Sequence, residues 1–344
     1  MDGELSIGLD VHKNSITATV LDSLGHRVDQ SSFEATDAEI IRYLRRFPGP
    51  KQVVLEACSV WEHCYDAAGS TGARVLLASP LKTRLISEAS LKSDKVDSDA
   101  LAKLGRLGSV PEAFAPDAST RALRQLVRDR VYYQKLLRSA KNHIYSVLLR
   151  KGIPYQDQLL KYPRKREQLR AHGLEEVDRG LTTLIHLEET VKNLDSRVHE
   201  AYRQSPEAQL LTTIPGIGEL TAMIVVAELC PVDRFPNIGK ACAYAGLVPT
   251  NHQSGETSYQ GHLRQDSNHL LQWALVEAAW AHRRWAARSS DVTRIGTRVA
   301  RRRGKAKGNT AAAHKLLKIV YAVLRRGTPY TPERPSPGPG IAEP

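Results

Sequence analysis

Cysteine is scarce in this chain, and where it occurs it is not arranged for chemistry. The 344 residues hold four, Cys58, Cys64, Cys230 and Cys242, with no CxxC pair and no histidine cluster at zinc spacing. That excludes a structural zinc and fits a reduced, cytoplasmic setting. No basic-then-apolar leader precedes the first strand. No apolar run approaches the roughly 18 residues that a membrane helix needs. Also missing are a Walker phosphate loop and the Gly-x-Ser-x-Gly elbow of serine hydrolases. Acid is almost absent from two long stretches. Thr120–Arg170 holds 14 Lys and Arg against three acids, and Ala281–Arg326 holds 14 against one. The net charge is +12, so the remainder of the chain is net acidic. Two such blocks on an otherwise acidic protein form a polyanion footprint, a better account than solvated helix faces. The length favours two or three domains, and 41% hydrophobic residues suffice for real cores.

What is present has a readable order. Leu5–His12, Asn14–Asp22 and Arg27–Ala35 read as three strands. Thr36 or Asp37 caps a helix to about Phe47, stopped by Pro48-Gly49-Pro50. Val53–Ala57 and Arg74–Ser79 read as strands, Trp61–Ser70 as a helix between them, and Leu81–Ala89 and Asp94–Leu107 as helices after them. The order β-β-β-α-β-α-β-α-α is that of an RNase H-like α/β domain, placed at residues 1–110. Gly108–Ala118, with Pro111 and Pro116, reads as a linker. Apolar stripes at helical spacing through Leu123–Leu148 and Val177–Ala201 predict an antiparallel coiled-coil arm over 119–203. A mainly α C-terminal domain follows over 208–326. In it, Pro215-Gly-Ile-Gly218 between two helices fits a helix-hairpin-helix. Its free N–H groups suit a phosphate, and the same turn also serves simply to join packed helices. Asn237–Ala245 reads as a helix, Gly246–His262 as a loop or hairpin, and Asn268–Trp285 as an amphipathic helix. Arg294–Gly308, basic and interrupted by glycine, is expected to be mobile when free, with a last helix over Ala311–Arg326. Residues 327–344, with six prolines from Thr328 onward, read as a disordered tail.

The chemistry begins with Asp10, a carboxylate set into the apolar strand Leu-Ser-Ile-Gly-Leu-Asp-Val-His. Burying it is costly without a partner. Glu56 ends the apolar run Val53-Val54-Leu55, and on a neighbouring strand it reaches the same spot. Asp94 and Asp97, three apart, share a helix face. Asp99 lies about 200° around from Asp97 and reads as a solvent-facing acid outside the set. Lys92 and Lys95 flank the pair and are placed to meet phosphates. Four carboxylates suit Mg²⁺, or Mn²⁺, and two such ions serve phosphoryl transfer. Taken alone, Asp94 and Asp97 also read as helix N-terminal acids complementing the dipole. Ser254, beside Gly255, is alone only a loop serine.

Several stretches together resemble the transposases of insertion-sequence family 110. They are Ile7-Gly-Leu-Asp10-Val-His-Lys13, Leu55-Glu-Ala57 and Lys92-Ser-Asp94-Lys-Val-Asp97 in the first part. In the second they are Ile214-Pro-Gly-Ile-Gly218, Phe235 to Gly246-Leu-Val-Pro249, Gln253-Ser-Gly255 and Gly261. The resemblance implies a RuvC-like domain whose Asp10, Glu56, Asp94 and Asp97 hold Mg²⁺, and a transposase domain in which Ser254 is the nucleophile that becomes joined to DNA. It implies guidance by a non-coding bridge RNA that pairs with donor and target DNA. It further implies a homotetramer built from dimers, with each composite site drawn from two protomers, working at the bacterial nucleoid. Lys13, Lys92, Gly216, Gly218, Arg264, Arg301, Arg302, Arg303 and Lys305 are the expected nucleic-acid contacts. One departure is visible. Where the family has a Lys-Arg-Gly-Asn-Arg type of run, this chain has Arg264-Gln-Asp-Ser-Asn268-His269. The competing readings are a RuvC-like nuclease or junction resolvase that uses water, a non-catalytic nucleic-acid binder, and an actin-like sugar kinase. The last also has Ile-Gly-Leu-Asp in its first strand but needs glycine-rich phosphate loops that this chain lacks.

Overall fold

The computed structural model describes residues 3–87, 94–156, 158–254, 257–263, 266–285 and 290–332. The chain divides into two compact units, Met1–Ala115 and Pro116–Pro344.

The first unit runs β1 (Leu5–Val11), β2 (Ser15–Leu21), β3 (Arg27–Glu34), α1 (Asp37–Arg45), β4 (Lys51–Glu56), α2 (Trp61–Gly69), β5 (Arg74–Ala78), α3 (Pro80–Ser87) and α4 (Asp94–Arg106). The strands form one mixed sheet in the order β3-β2-β1-β4-β5, consistent with an RNase H-like α/β domain. Strands β1 to β3 pair antiparallel, while β1–β4 and β4–β5 pair parallel. The central strands are apolar almost throughout because both faces are covered. On one face Ile7, Leu9, Ile16, Val20, Val53 and Leu55 meet Ile40 and Leu44 of α1 and Cys64 and Ala68 of α2. The other face takes α4, which lies over small and polar residues. Ser6 Oγ donates to Ala102 O at 2.7 Å, and the Thr19 and Ser98 hydroxyls are 2.8 Å apart. The segment expected as a linker does more than connect. Ala113 N donates to Leu77 O at 2.7 Å and Ser79 N to Pro111 O at 2.9 Å, so this stretch covers the edge of β5.

The second unit runs α5 (Ala118–Arg150), a 3-10 turn, α6 (Pro163–Arg170), α7 (Glu175–Arg203), α8 (Pro206–Thr212), α9 (Glu219–Leu229), α10 (Ile238–Tyr244), the hairpin β6 (Pro249–Ser254) and β7 (Thr257–Leu263), α11 (His269–Trp285), α12 (Asp291–Arg303) and α13 (Lys305–Arg326). Helix α5 starts where Asp117 accepts from Thr120 N, and it pairs with α7. Ile144 and Leu148 interlock there with Val177, Leu181 and Leu184. Arg166, buried near the tip, donates to Leu160 O and to Glu188. At the other end, Val127 and Val131 of α5 and Val198 of α7 join a core built around α9. α9 is buried on nearly every side and correspondingly apolar all round.

Two expectations need correcting. Arg294–Gly308, read from the sequence without a helix, forms most of α12 and the start of α13, and the last helix begins at Lys305 rather than Ala311. Ser290 caps α12 by accepting from Thr293 N, and Gly304, at φ 89°, separates the two helices. Glycine there acts as a packing surface. A Cβ on Gly308 would sit 2.6 Å from Ala300 Cβ, so the two helices approach at small residues. The expected tail lies outside the described residues from 333 onward. Among the described residues, no helix is long and apolar enough to cross a membrane.

Candidate functional site

The period of two along a strand puts Ser6, Gly8 and Asp10 on one face of β1, the face under α4. α4 runs antiparallel to β1. Gly105 lies over Ser6, and Ser98 and Ala102 lie over Gly8. That direction brings the first turn of α4, with Asp94 and Asp97, to the Asp10 end of β1. Gly8 pairs with Val54 and Leu9 with Leu55, so the next step of the parallel register sets Glu56 beside Asp10 on the same face. Three separate segments therefore bring the four carboxylates to one end of the sheet.

Electrostatics record the same convergence. Burial pushes the Asp10 carboxyl above its ordinary range. His12 pulls it down, and the charges of Asp94 and Asp97 raise it further. Glu56 is raised by burial and then by Asp10 and Asp97. Among the described residues none of the four acids forms an ion pair with Lys or Arg. Asp99 is the contrast. Its side chain is 13% exposed and pairs with Arg27 and Lys103. It is outside the cluster, as expected, but it is not the solvent-facing acid expected from the helical angle, because Arg27 of β3 lies on that side. Hard oxygen donors with no Lys or Arg partner among the described residues suit Mg²⁺ or Mn²⁺, and Asp10, Glu56, Asp94 and Asp97 could hold such an ion, with oxygens of Asp10 and Asp94 within 4.8 Å of one another. The first turn of α4 also favours Asp94 and Asp97 as anions through the helix dipole, so the two readings of this pair are compatible.

His12 belongs to this group and was missed as a site residue. Its Nε2 is 3.2 Å from Asp10 Oδ2 and 3.5 Å from Asp94 Oδ1, and the three ligand atoms lie within 4.8 Å of one another. The signal was present, since a residue two past Asp10 shares its face. Lys13 is exposed in the turn after β1. Lys92 lies outside the described residues.

In the second unit Ser254 is the last residue of β6, opposite Thr257 of β7. The approach to this hairpin is fastened. Gly246, at φ 65°, accepts from Gln272 Nε2 at 2.6 Å, and Asn268 N donates to Tyr244 O at 2.9 Å. Asn268 Nδ2 also donates to Glu228 at 2.8 Å. Glu228, fully buried and not singled out from the sequence, accepts from Arg128 Nε at 2.9 Å and has Arg124 Nε 3.6 Å away. Of the two hairpin glycines, Gly216 is committed to packing. It sits at φ 91°, and a Cβ there would fall 2.4 Å from His282 N. His282 Nδ1 is hydrogen-bonded to Pro215 O at 2.6 Å. Gly218 instead faces open space at the N-terminus of α9. Arg301, Arg302, Arg303 and Lys305 are exposed around the α12–α13 junction. Arg264 lies outside the described residues.

Comparison with known proteins matches both halves of the chain. A model described as "Transposase IS116/IS110/IS902 family" matches residues 208–294, which contain Ser254. A second, described as "Transposase" and of the DEDD type within the IS110 group, matches residues 7–152, which contain all four carboxylates. The transposase for insertion sequence element IS1111A of Coxiella burnetii is 22% identical over 338 residues, covering 94% of this chain and 90% of that protein. The transposase for insertion sequence element IS1328 of Yersinia enterocolitica is 24% identical over 335 residues, 94% of this chain and 98% of its own. The pilin gene-inverting protein of Moraxella bovis is 25% identical over 291 residues, 81% of each.

Proposed function

Since this chain belongs to the IS116/IS110/IS902 transposase family, enzymes of DNA transposition and recombination, we propose that it cuts and rejoins DNA strands with Ser254 as nucleophile and a divalent metal, Mg²⁺ or Mn²⁺, held by Asp10, Glu56, Asp94 and Asp97. The observation that carries the reading is the meeting of these acids, from three segments, with no lysine or arginine partner among the described residues. In this reading residues 1–110 are a RuvC-like domain. Residues 119–203 are an arm for assembly and RNA contact, and residues 208–326 are the transposase domain.

A divalent ion bound there supplies Lewis-acid activation of a phosphodiester and of an oxygen nucleophile. The chain supplies the rest. Asp10, Glu56 and Asp97, half-buried, and Asp94, exposed, would hold that ion and so set where a phosphate is received. Ser254 Oγ loses its proton as it bonds to phosphorus, and one P–O bond of the strand breaks, leaving a free hydroxyl on the departing end. Attack by a hydroxyl of another strand reverses the step, rejoins DNA and restores the serine. Phosphoester bonds are conserved in number, so no nucleotide cofactor is needed, which agrees with the missing Walker loop. The choice of strands is delegated to a bridge RNA pairing with donor and target. The working form is a homotetramer built from dimers, whose composite sites join carboxylates of one protomer to the serine of another. Lys13, Lys92, Gly218, Arg264, Arg301, Arg302, Arg303 and Lys305 contribute nucleic-acid contacts.

The test uses purified protein with its flanking RNA, matching DNA and Mg²⁺, and resolves the products on a denaturing gel. The wild type is expected to form a covalent protein–DNA adduct, lost in both Ser254→Ala and Asp10→Ala. Cleavage that survives Ser254→Ala with no adduct would replace this reading with a water-using nuclease.

A further inference from the structure

The second unit carries a groove of 1030 Å³ walled by α11, α12 and α13, and lined by seven arginines and lysines and no acid. Its cations include Arg284, Arg298, Arg301, Arg302 and Lys305, and only the last three of these were expected nucleic-acid contacts. Among the described residues, Arg294 alone of the seven is paired with an acid, Asp291. Arg283 is fixed at the groove by donating Nη1 to Asn309 Oδ1, while its buried Nε has no partner among the described residues. So many like charges in one concavity repel one another and destabilise the fold unless a polyanion occupies it.

One residue is out of keeping with a simple phosphate track. Trp280 of α11 lines the groove and is 48% exposed, in a helix whose other face is buried core. The Arg284 guanidinium lies over its ring, 4.8 Å from the centroid, which steadies the indole in the groove. An indole among guanidinium groups has little to offer a duplex, whose bases are stacked inside. It offers an unpaired base a stacking surface while the surrounding cations take the phosphates.

We propose that this groove binds a single nucleic-acid strand, with one unpaired base stacked on Trp280 and the flanking phosphates held by Arg298, Arg301, Arg302 and Lys305. The reading deepens the proposed function by naming where an unpaired strand is held, yet it needs neither the serine nor the metal. RNA and displaced DNA share the required chemistry, and the arms of the test separate them.

The experiment measures binding of the full chain to fluorescein-labelled 15-nucleotide RNA and DNA strands and to a 15-base-pair DNA duplex, all in EDTA. The proteins are wild type, Trp280→Ala, Trp280→Phe and the double variant Arg298→Gln/Arg301→Gln. Trp280→Ala is expected to weaken single-strand binding about tenfold, with the duplex unchanged and the salt dependence intact. Trp280→Phe restores most of the loss. The arginine variant weakens every ligand and flattens the salt dependence by roughly 0.7 per lost contact on a single strand. A larger loss on RNA than on DNA assigns the groove to the guide, and the reverse assigns it to a displaced DNA strand. A strand carrying 5-iodouridine is then crosslinked by light and mapped, and the adduct is expected on the peptide containing Trp280. Equal effects of Trp280→Ala on strand and duplex, no effect on either, or crosslinks only elsewhere would overturn the proposal. The binding assays run in EDTA and require no cleavage. Failure of the covalent-adduct assay with these binding results intact therefore sinks the recombinase mechanism and not the groove.

Discussion

Gly8 decides how closely α4 approaches the sheet, and replacing it tests the link between packing and site. A Cβ at this position would lie 2.0 Å from Ser98 O, 2.5 Å from Ala102 N and 3.0 Å from Leu101 Cβ. The first two are backbone atoms in the middle of a helix, so no change of rotamer relieves them. Ordinary contact begins at 3.4 Å, so α4 would have to retreat by roughly 1.4 Å. Overpacking of a core costs about 1–3 kcal/mol. The same retreat would stretch two buried hydrogen bonds, from Ser6 to Ala102 and between Thr19 and Ser98, each worth about 1 kcal/mol. A total near 4 kcal/mol corresponds to a fall in melting temperature of roughly 15 °C for a unit of this size. Asp94 and Asp97 ride on the first turn of α4, so Gly8→Ala should also weaken Mn²⁺ binding by more than tenfold, because coordination tolerates only a few tenths of an ångström. Thermal unfolding and calorimetric Mn²⁺ titration would show both effects. Gly69→Ala is the control. A Cβ there meets only Val75 Cγ2, at 4.0 Å, and alanine near a helix end should be neutral or slightly stabilising. A Gly8→Ala protein that melts within about 2 °C of wild type and binds Mn²⁺ normally would refute the idea that Gly8 sets the height of α4 over the sheet.

The crowded acids make a second prediction. Asp10 and Glu56 both have folded-state values raised above their ordinary 3.8 and 4.5. The folded protein therefore binds protons more readily than the unfolded chain. This contribution to stability is full below the ordinary values and is lost as pH rises through the raised ones. In EDTA, Asp10→Asn should melt higher than wild type at neutral pH, with the gap closing as pH falls, and Mg²⁺ should stabilise wild type more than the variant. No gap at neutral pH would contradict the crowding. Glu228→Ala leaves Arg124 and Arg128 without their shared buried carboxylate and should cost about 3 kcal/mol in urea unfolding. A loss under about 1 kcal/mol would show that solvent already screens this network. Gly216→Ala, at φ 91° and against His282 N, should cost at least about 2 kcal/mol by the same measurement, because strain and overlap act together.

Much of the first unit was legible because strands and helices carry different periods. The element order read from Leu5 to Leu107 is the order found, and Thr36 caps α1 as its position suggested. The meeting of Asp10 and Glu56 required only that β1 and β4 be neighbours. What periodicity does not contain is the third dimension around each element. The helical angle rightly separated Asp99 from Asp97, but it carried no information that Arg27 of β3 would be waiting on the other side. Charge and glycine content made Arg294–Gly308 look mobile. In a packed helix pair the same small residues, Gly296, Ala300 and Gly308, are what permit close approach. The basic block was visible as composition, whereas its organisation into a groove with Trp280 depends on how three helices pack.

Glu228 shows how far one sequence rule reaches. Asp10 was found because a charge inside an apolar run must have a partner. The same rule applied to Met223-Ile-Val-Val-Ala-Glu228-Leu229 picks out Glu228, which is indeed fully buried. The rule locates both acids, but their partners make them chemically opposite. Glu228 is neutralised by Arg124 and Arg128 and bonded to Asn268, so its charge is spent on joining α5, α9 and the start of α11. Asp10 is surrounded by Glu56, Asp94 and Asp97, whose charges add to its own, and the imidazole of His12 is the basic group beside it. Glu228, fully buried with arginines around it, is structural, whereas Asp10, half-buried among other acids, has an excess of negative charge that suits a cation. That difference lies in the environment rather than in the run of sequence around the acid, and it separates a candidate metal site from a structural network.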